Sequence, residues 1–185
     1  MRVVGGRLKG RNLASPSLRE IRPTADRLRE SLFNILIHAY DDPIRDARVL
    51  DLFAGTGALG IEAISRGAAF ALFVDNGTEA RALLRNNVEA LGLGGMTKVF
   101  RRDATNLGAA HPVEPFSLVF LDPPYHMNLA EKALASLRDG GWLKPNALLV
   151  VEEAKAAEFV APAGFEELER RAYDDTEFTF LRAAS

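Results

Sequence analysis

The sequence predicts a three-layer α/β sandwich, in which a mostly parallel seven-stranded sheet is covered by helices and ends in an antiparallel C-terminal hairpin. Three observations indicate this fold. Short apolar segments alternate with helical patterns from residue 48 onward, as consecutive βαβ units require. Segments 118–121 and 148–151 are continuously apolar, which is typical of parallel strands covered on both faces. The last two predicted strands are joined by Asp174-Asp175, a hairpin signal.

The composition of the 185-residue chain suits one globular domain, because 48% of the residues are hydrophobic and 26% are charged. Cysteine is absent, which excludes disulfides, thiolate metal sites and cysteine nucleophiles. The three histidines share no ligand spacing, so we expect no metal site. No apolar run reaches the length of a signal peptide or a membrane span. We therefore expect a cytoplasmic protein without membrane association.

Residues 1–40 are predicted to form a basic N-terminal arm and helix attached to a main domain of residues 41–185. The arm and helix carry eight Lys/Arg against three acidic residues, and the remainder has a net charge of −7. Glycines and Ser15-Pro16 indicate extended pieces at first, and apolar residues at helical spacing then predict a helix over 24–40. A basic arm suits phosphate binding, although a solvated arm without a partner explains the charge equally well.

The main domain is predicted to alternate strands and helices. We predict strands at 48–53, 70–75, 97–101, 117–122, 147–152, 166–173 and 177–182, and helices at 58–65, 78–91 and 129–137. The segment between the third and fourth strands is compatible with a further helix. Because the carboxyl ends of parallel strands meet at one edge of a sheet, we expect the ligand crevice at that edge.

A glycine-rich turn follows the first strand of the main domain. Gly55, Gly57 and Gly60 lie where the backbone enters a helix, so that a ligand can approach the backbone closely. Their spacing fits a dinucleotide as well as S-adenosylmethionine. Asp51, four residues before the first glycine, favours S-adenosylmethionine, because a carboxylate repels a pyrophosphate and attracts the ammonium group of a sulfonium amino acid.

Acidic residues also end the second and third predicted strands. Asp75 lies eighteen residues after Gly57, close to the spacing at which an acid meets ribose hydroxyls. Asp103 is placed to accept a hydrogen bond from an adenine amino group, and Ala104 leaves room for the ring. A cap on a following helix is the alternative role for Asp103.

Asp122-Pro123-Pro124-Tyr125 follows the fourth strand and carries the most specific chemical signal. Two prolines fix φ and remove two N–H donors, so that carbonyl acceptors face the crevice. Asp122 and the Pro123 carbonyl can hold both hydrogens of an amino group on a flipped-out base, on which Tyr125 can stack. The pattern predicts amino-group methylation, and a rigid turn after a strand is the structural alternative. Methylation at pyrimidine C5 is excluded because it needs a cysteine.

These motifs together resemble the amino-methylating branch of the class I S-adenosylmethionine-dependent methyltransferases, whose sheet is Rossmann-like. Further blocks resemble the bacterial RsmD family and are Val4-Gly5-Gly6, Lys9-Gly10-Arg11, Arg22-Pro23-Thr24, Asp26-Arg27, Arg29-Glu30, Phe33-Asn34 and Ser65-Arg66-Gly67-Ala68. The resemblance covers about residues 1–155. It implies methylation of guanine N2 in 16S ribosomal RNA, either free or within a small-subunit particle.

The motifs and the resemblance also assign roles to individual residues. Binding of S-adenosylmethionine is assigned to Asp51, Phe53, Gly55, Thr56, Gly57, Asp75, Asn76, Asp103 and Ala104, with a contribution from Asp122. Recognition of the amino group is assigned to the catalytic loop, Asp122, Pro123, Pro124 and Tyr125. Contacts to RNA are assigned to Arg7, Lys9, Arg11, Arg22, Thr24, Arg27 and Asn34. The chain has Asp75-Asn76 where the family often has Glu followed by a charged residue.

Other functions are compatible with parts of the sequence. A DNA adenine-N6 methyltransferase uses the same loop, but usually carries a target-recognition region for which 185 residues leave no room. A glutamine-amide methyltransferase typically begins the loop with Asn. An NAD-dependent oxidoreductase is disfavoured by Asp51, and a non-catalytic RNA-binding protein would not need Asp122.

Overall fold

The computed structural model of the protein describes residues 1–16, 23–124 and 127–184, without the side chains of residues 23 and 24. The helices are α1 (Pro23–Ala39), α2 (Ala58–Ser65), α3 (Thr78–Ala90) and α4 (Leu129–Gly140). The strands are β1 (Arg48–Leu52), β2 (Phe70–Val74), β3 (Thr97–Phe100), β4 (Phe116–Leu121), β5 (Leu143–Ala154), β6 (Phe165–Tyr173) and β7 (Thr176–Ala183). The predicted strands and helices are confirmed, and β5 begins four residues earlier and ends two residues later than predicted.

The seven strands form one sheet in the order β3-β2-β1-β4-β5-β7-β6. Neighbours among β1 to β5 run parallel, whereas β7 is antiparallel to both β5 and β6. The turn between β6 and β7 contains Asp174 at a φ of 54°, a conformation that Asp adopts more readily than most residues. The predicted mostly parallel sheet with a C-terminal hairpin is confirmed. The strand order reverses between β1 and β4, where open α/β sheets form their ligand crevice.

The two faces of the sheet are covered differently. One face packs against α1, α2 and α3, and the other packs against α4. The segment between β3 and β4, which the sequence left open to a helix, is an irregular loop over residues 101–115. Ala104, Leu107 and Ala110 of this loop are buried in the same core cluster as α4. The loop therefore covers part of the sheet that a helix would otherwise cover.

Residues 1–16 form a hairpin-like arm on the side of the sheet that carries α1 to α3. Arg2 and Asn12 make an antiparallel bridge, and Val3, Leu8 and Leu13 are buried in the core cluster of that side. The arm is thus packed onto the rest of the molecule by its apolar residues, while its cationic side chains are exposed.

Buried Glu62 of α2 fixes the start of the arm. Its two carboxylate oxygens accept hydrogen bonds from the backbone N–H groups of Val4 at 3.0 Å and Gly5 at 2.9 Å. They also accept hydrogen bonds from Nε of Arg29 at 3.2 Å and Nε of Arg66 at 2.8 Å. One carboxylate therefore satisfies two backbone donors and two guanidinium groups from three separate segments of the chain.

Asn87 of α3 connects the end of the arm to the turn after β1. Its buried side chain accepts a hydrogen bond from the Ala14 N–H at 2.7 Å and donates to the carbonyl oxygens of Ala14 at 3.2 Å and Thr56 at 2.9 Å.

We expect Asn87→Ala to lower the free energy of unfolding by about 1–3 kcal/mol, because buried polar groups lose their partners. Urea denaturation measures the loss, and Asn86→Ala, exposed on the same helix, is the control. Equal losses in both variants would contradict this role.

Candidate active site

A cavity of about 220 Å³ lies at the carboxyl ends of β1, β4 and β5, beneath α1. The register of these three neighbouring strands aligns Leu52, Leu121 and Val151 with one another. The next residue on each strand therefore reaches the same edge of the sheet; these residues are Phe53, Asp122 and Glu152. All three line the cavity. The strand register thus brings a residue from each of three strands to one site.

Three acidic side chains from neighbouring strands face this cavity on the α1 side of the sheet. Asp51 is aligned with Phe120 of β4, so Asp122, two residues further along, faces the same side of the sheet one pleat higher. Val150 also faces that side, and Glu152 lies two residues further along the same strand, so it faces that side as well. The floor of the cavity is therefore acidic, and it favours a cationic ligand.

Asp51 is almost fully buried, and its Oδ2 accepts a hydrogen bond from the Gly60 N–H at 3.0 Å. Burial raises the pKa of Asp51 to about 8, and the negative charge of Asp75 adds to the shift, although the hydrogen bond from Gly60 opposes it. A cation bound beside Asp51 would favour the ionised carboxylate.

Asp122 and Glu152 form a carboxyl pair within hydrogen-bonding reach of each other. Asp122 lines the cavity and is exposed to it. Burial and the adjacent Glu152 raise the pKa of Asp122 well above its usual range. Burial also raises the pKa of Glu152, but the hydrogen bond with Asp122 and the charge of Arg29 oppose this. The two carboxyl groups therefore share one proton, and the pair carries a single negative charge.

A smaller depression of about 30 Å³ adjoins the cavity, and Phe53 lines both. Asp75 lies in this depression, where its oxygens accept hydrogen bonds from the N–H groups of Gly55 at 3.0 Å and Gly77 at 2.8 Å. Each carboxylate oxygen has a second lone pair that can accept a hydroxyl donor. Asn76 lines the same depression.

Asp103 and Ala104 border the smaller depression on its other side. Asp103 Oδ1 accepts hydrogen bonds from the Thr105 N–H at 2.8 Å and the Thr105 hydroxyl at 2.7 Å, and these bonds lower the pKa of Asp103. The alternative role as a helix cap is wrong, because no helix follows in residues 104–115. The structure thus places Asp75 and Asp103 around one depression, as the strand-end pattern predicts.

The turn after β1 is tight, and its backbone passes through the left-handed region repeatedly. Gly55 and Gly57 have φ values of 58° and 82°, and Phe53 has a φ of 57°. A Cβ at Gly57 would overlap the side chain of Leu84, so only glycine fits there. A bulky residue at positive φ is strained, and such strain is found at functional sites. The sequence does not reveal this feature of Phe53.

The structure describes part of the predicted catalytic loop. Pro123 is buried and Pro124 is exposed beside Asp122. Tyr125 lies outside the described residues. Glu152 is an acidic residue of the cavity that the sequence did not single out, although it ends the predicted strand 147–152 just as Asp75 and Asp122 end theirs.

The predicted RNA-binding residues lie in two places. Arg27 and Asn34 are exposed on the outer side of α1. Arg7 contacts Met96 Sδ at 3.6 Å, and Arg11 donates a hydrogen bond to the Ala90 carbonyl at 3.2 Å. These partners lie at the end of α3 and just before β3, which is the opposite edge of the sheet from the cavity.

Of the other predicted RNA-binding residues, only Lys9 has a described side chain. Lys9 is exposed in the turn of the arm. Arg22 and the side chain of Thr24 lie outside the described part of the chain. Because Arg7 and Arg11 contact residues at the opposite edge of the sheet, the structure does not bring them to the cavity.

No helix among the described residues is long and apolar enough to cross a membrane. Within the same residues, no group of three or more His, Cys, Asp or Glu side chains could hold a metal ion.

Comparisons with known proteins place the chain among methyltransferases. A family described as "Conserved hypothetical protein 95" matches residues 1–182. The chain is similar to "Ribosomal RNA small subunit methyltransferase D" of Escherichia coli strain K12, with 40% identity over 152 residues, 82% of this chain and 74% of the relative. The protein with the same description from Haemophilus influenzae is 37% identical over 164 residues, 88% of this chain and 83% of the relative.

Solved structures show the same fold. The Escherichia coli protein yhhF has 34% sequence identity and a TM-score of 0.82, covering 100% of this chain and 98% of that one. A hypothetical protein from Thermus thermophilus has 34% identity and a TM-score of 0.74, covering 97% and 98%. TrmN from Thermus thermophilus, at 19% identity and a TM-score of 0.67, shares the fold over 85% of this chain and 48% of its own.

Proposed function

Because this chain belongs to the RsmD family of ribosomal RNA small-subunit methyltransferases, we propose that it transfers the methyl group of S-adenosylmethionine to N2 of a guanine in 16S ribosomal RNA. The observation that carries the proposal is an acidic cavity that ends at the rigid Asp122-Pro123-Pro124 segment. The cavity suits a cationic methyl donor, and the segment suits an amino-group acceptor.

The chemistry of the cavity fits S-adenosylmethionine. Asp51 would accept a hydrogen bond from the ammonium group of the methionine part. A Cβ at Gly55 would project into open space, so its absence leaves that space for the ligand. Asp75 and Asp103 would hold the ribose and adenine parts in the adjoining depression. A dinucleotide would place a pyrophosphate near Asp51 and the Asp122–Glu152 pair, and the negative charge of that pair would repel it.

Binding of S-adenosylmethionine should strengthen as pH rises toward the pKa of Asp51. Asp51 is largely protonated below its pKa of about 8, and the cation selects the ionised form. We therefore expect the dissociation constant to fall about tenfold between about pH 6 and pH 7. Calorimetric titration measures it, with Asp51→Asn as the control, because that variant should bind more weakly and show no such dependence. The same pH dependence in both proteins would contradict the role of Asp51.

The residues at the end of β4 would hold the target amino group. S-adenosylmethionine, when bound, supplies an electrophilic methyl group. The carboxyl oxygen of Asp122 and the carbonyl oxygen of Pro123 accept the two amino hydrogens, which turns the nitrogen lone pair toward the donor. Methyl transfer makes the nitrogen cationic, and it must then lose one proton. The Asp122–Glu152 pair holds one proton and one negative charge, so it can accept this second proton.

We propose that residues 1–40 form an RNA-binding part attached to a catalytic domain of residues 41–185. The exposed cations Arg7, Lys9 and Arg11 support this proposal. Because Arg7 and Arg11 lie at the far edge of the sheet, they would contact phosphates away from the target nucleotide.

Labelled S-adenosylmethionine tests the proposed function. The protein is incubated with unmodified 16S RNA, with unmodified small-subunit particles, and separately with DNA. We expect label in the RNA of the first two mixtures and none in DNA. Fully modified 16S RNA is the matched control and should accept no label. Label found only in DNA or protein would contradict the proposal.

A further inference from the structure

We propose that Glu152 selects guanine, because its carboxylate accepts the N1–H of the target base while Asp122 holds the neighbouring amino group. This inference rests on the proposed function and adds to it the residue that distinguishes guanine from adenine. The amino-methylating loop alone does not make this distinction, since an amino group on either base presents the same two hydrogens.

The strand register places Glu152 beside Asp122, where it can contact N1 of the base. Leu121 and Val151 are aligned across β4 and β5, so Asp122 and Glu152 follow as neighbours on adjacent parallel strands, about 4.8 Å apart. Both line the cavity. Guanine presents N1–H and its N2 amino group at adjacent positions on one edge. Two neighbouring carboxyl groups therefore face two neighbouring donors.

The charges around Glu152 favour its role as an acceptor. Buried Arg29 lines the same cavity and stabilises the ionised form of Glu152. Asp122 and Glu152 share one proton, and each carboxyl group keeps a free lone pair. Asp122 can therefore accept from the amino group while Glu152 accepts the N1–H.

The same arrangement disfavours adenine. Adenine has an unprotonated N1, which is an acceptor. Its lone pair would face the Glu152 carboxylate, and the carboxylate would lose a donor in an enclosed site. Sites built to hydrogen-bond one substrate group strongly reject an analogue that lacks it.

Glu152 has an alternative role that is purely structural. It would then only hold Asp122 in place, and its removal would slow methylation of every base equally. The two roles differ in specificity, because only a residue that contacts N1 changes the preference between two bases that carry the same amino group.

The test uses two RNA substrates that differ at the target base. One carries guanine, and the other carries 2,6-diaminopurine, which keeps the 2-amino group but has an unprotonated N1. We expect the wild-type protein to prefer guanine by at least about 100-fold in kcat/KM. Glu152→Gln offers an amide N–H to N1 of diaminopurine, so we expect the preference to fall at least about tenfold.

Glu153→Gln is the matched control. It removes one negative charge from the adjacent residue, which alternates to the other face of β5, and it should keep the preference for guanine. A wild-type preference below about threefold would overturn the inference without any variant. An unchanged preference in Glu152→Gln at lower activity would also overturn it. If the wild-type protein methylates neither RNA, the proposed function itself fails.

Discussion

Asp122→Asn should abolish methylation without unfolding the protein. The variant keeps the size of the side chain, but its amide does not form a proton-sharing pair with Glu152. We expect kcat to fall by at least about 1000-fold, because the pair both holds the amino group and accepts its proton. Single-turnover assays measure the chemical step directly. The melting temperature should stay the same, because the Asn amide can donate a hydrogen bond to Glu152 in place of the shared proton.

The control for Asp122→Asn is Asp139→Asn, an exposed position near the end of α4. It makes the same chemical change far from the carboxyl pair, and its activity should match that of the unaltered protein. Binding of S-adenosylmethionine should persist in Asp122→Asn, since Asp51 and the smaller depression are intact. Activity of Asp122→Asn within about tenfold of the unaltered protein would contradict a catalytic role.

Glu62→Ala should cause a large loss of stability. The substitution leaves Arg29 and Arg66 without their shared carboxylate, at 5% and 11% side-chain exposure. It also leaves the N–H groups of Val4 and Gly5 without an acceptor. Removing one partner of a buried ion pair costs about 3–5 kcal/mol, and we expect a loss in this range. Urea denaturation followed by circular dichroism measures it.

Glu89→Ala is the control for Glu62→Ala, because Glu89 is exposed on α3. It should change the free energy of unfolding by less than about 0.5 kcal/mol. A loss below about 1 kcal/mol for Glu62→Ala would mean that the carboxylate does not hold the arm. The arm should also become more sensitive to proteolysis in Glu62→Ala, because its first residues lose their anchor.

The order of strands and helices follows from apolar periodicity, because buried parallel strands require continuous apolar segments. The position of each acid at a strand end then predicts a shared crevice, and the structure brings Asp51 and Asp122 to one cavity and Asp75 and Asp103 to the adjoining depression. These features depend on local sequence, so they can be predicted without a structure.

Other features depend on which strands become neighbours. Glu152 joins Asp122 only because β5 lies beside β4 in the sheet, and the sequence does not state this order. The loop over residues 101–115 contains no helix, yet its apolar residues are buried in the core, and the local sequence does not distinguish these two ways of covering the sheet. The direction of Arg7 and Arg11 depends on how the arm packs, which net charge does not reveal.

The position and chemistry of the methyl group test the central claim most directly. Unmodified 16S RNA is incubated with the protein and S-adenosylmethionine, digested to nucleosides, and analysed by mass spectrometry. We predict N2-methylguanosine at one position, and none when Asp122→Asn replaces the unaltered protein. N6-methyladenosine, or a methyl group on any atom other than an exocyclic nitrogen, would contradict the claim that this cavity methylates the amino group of guanine.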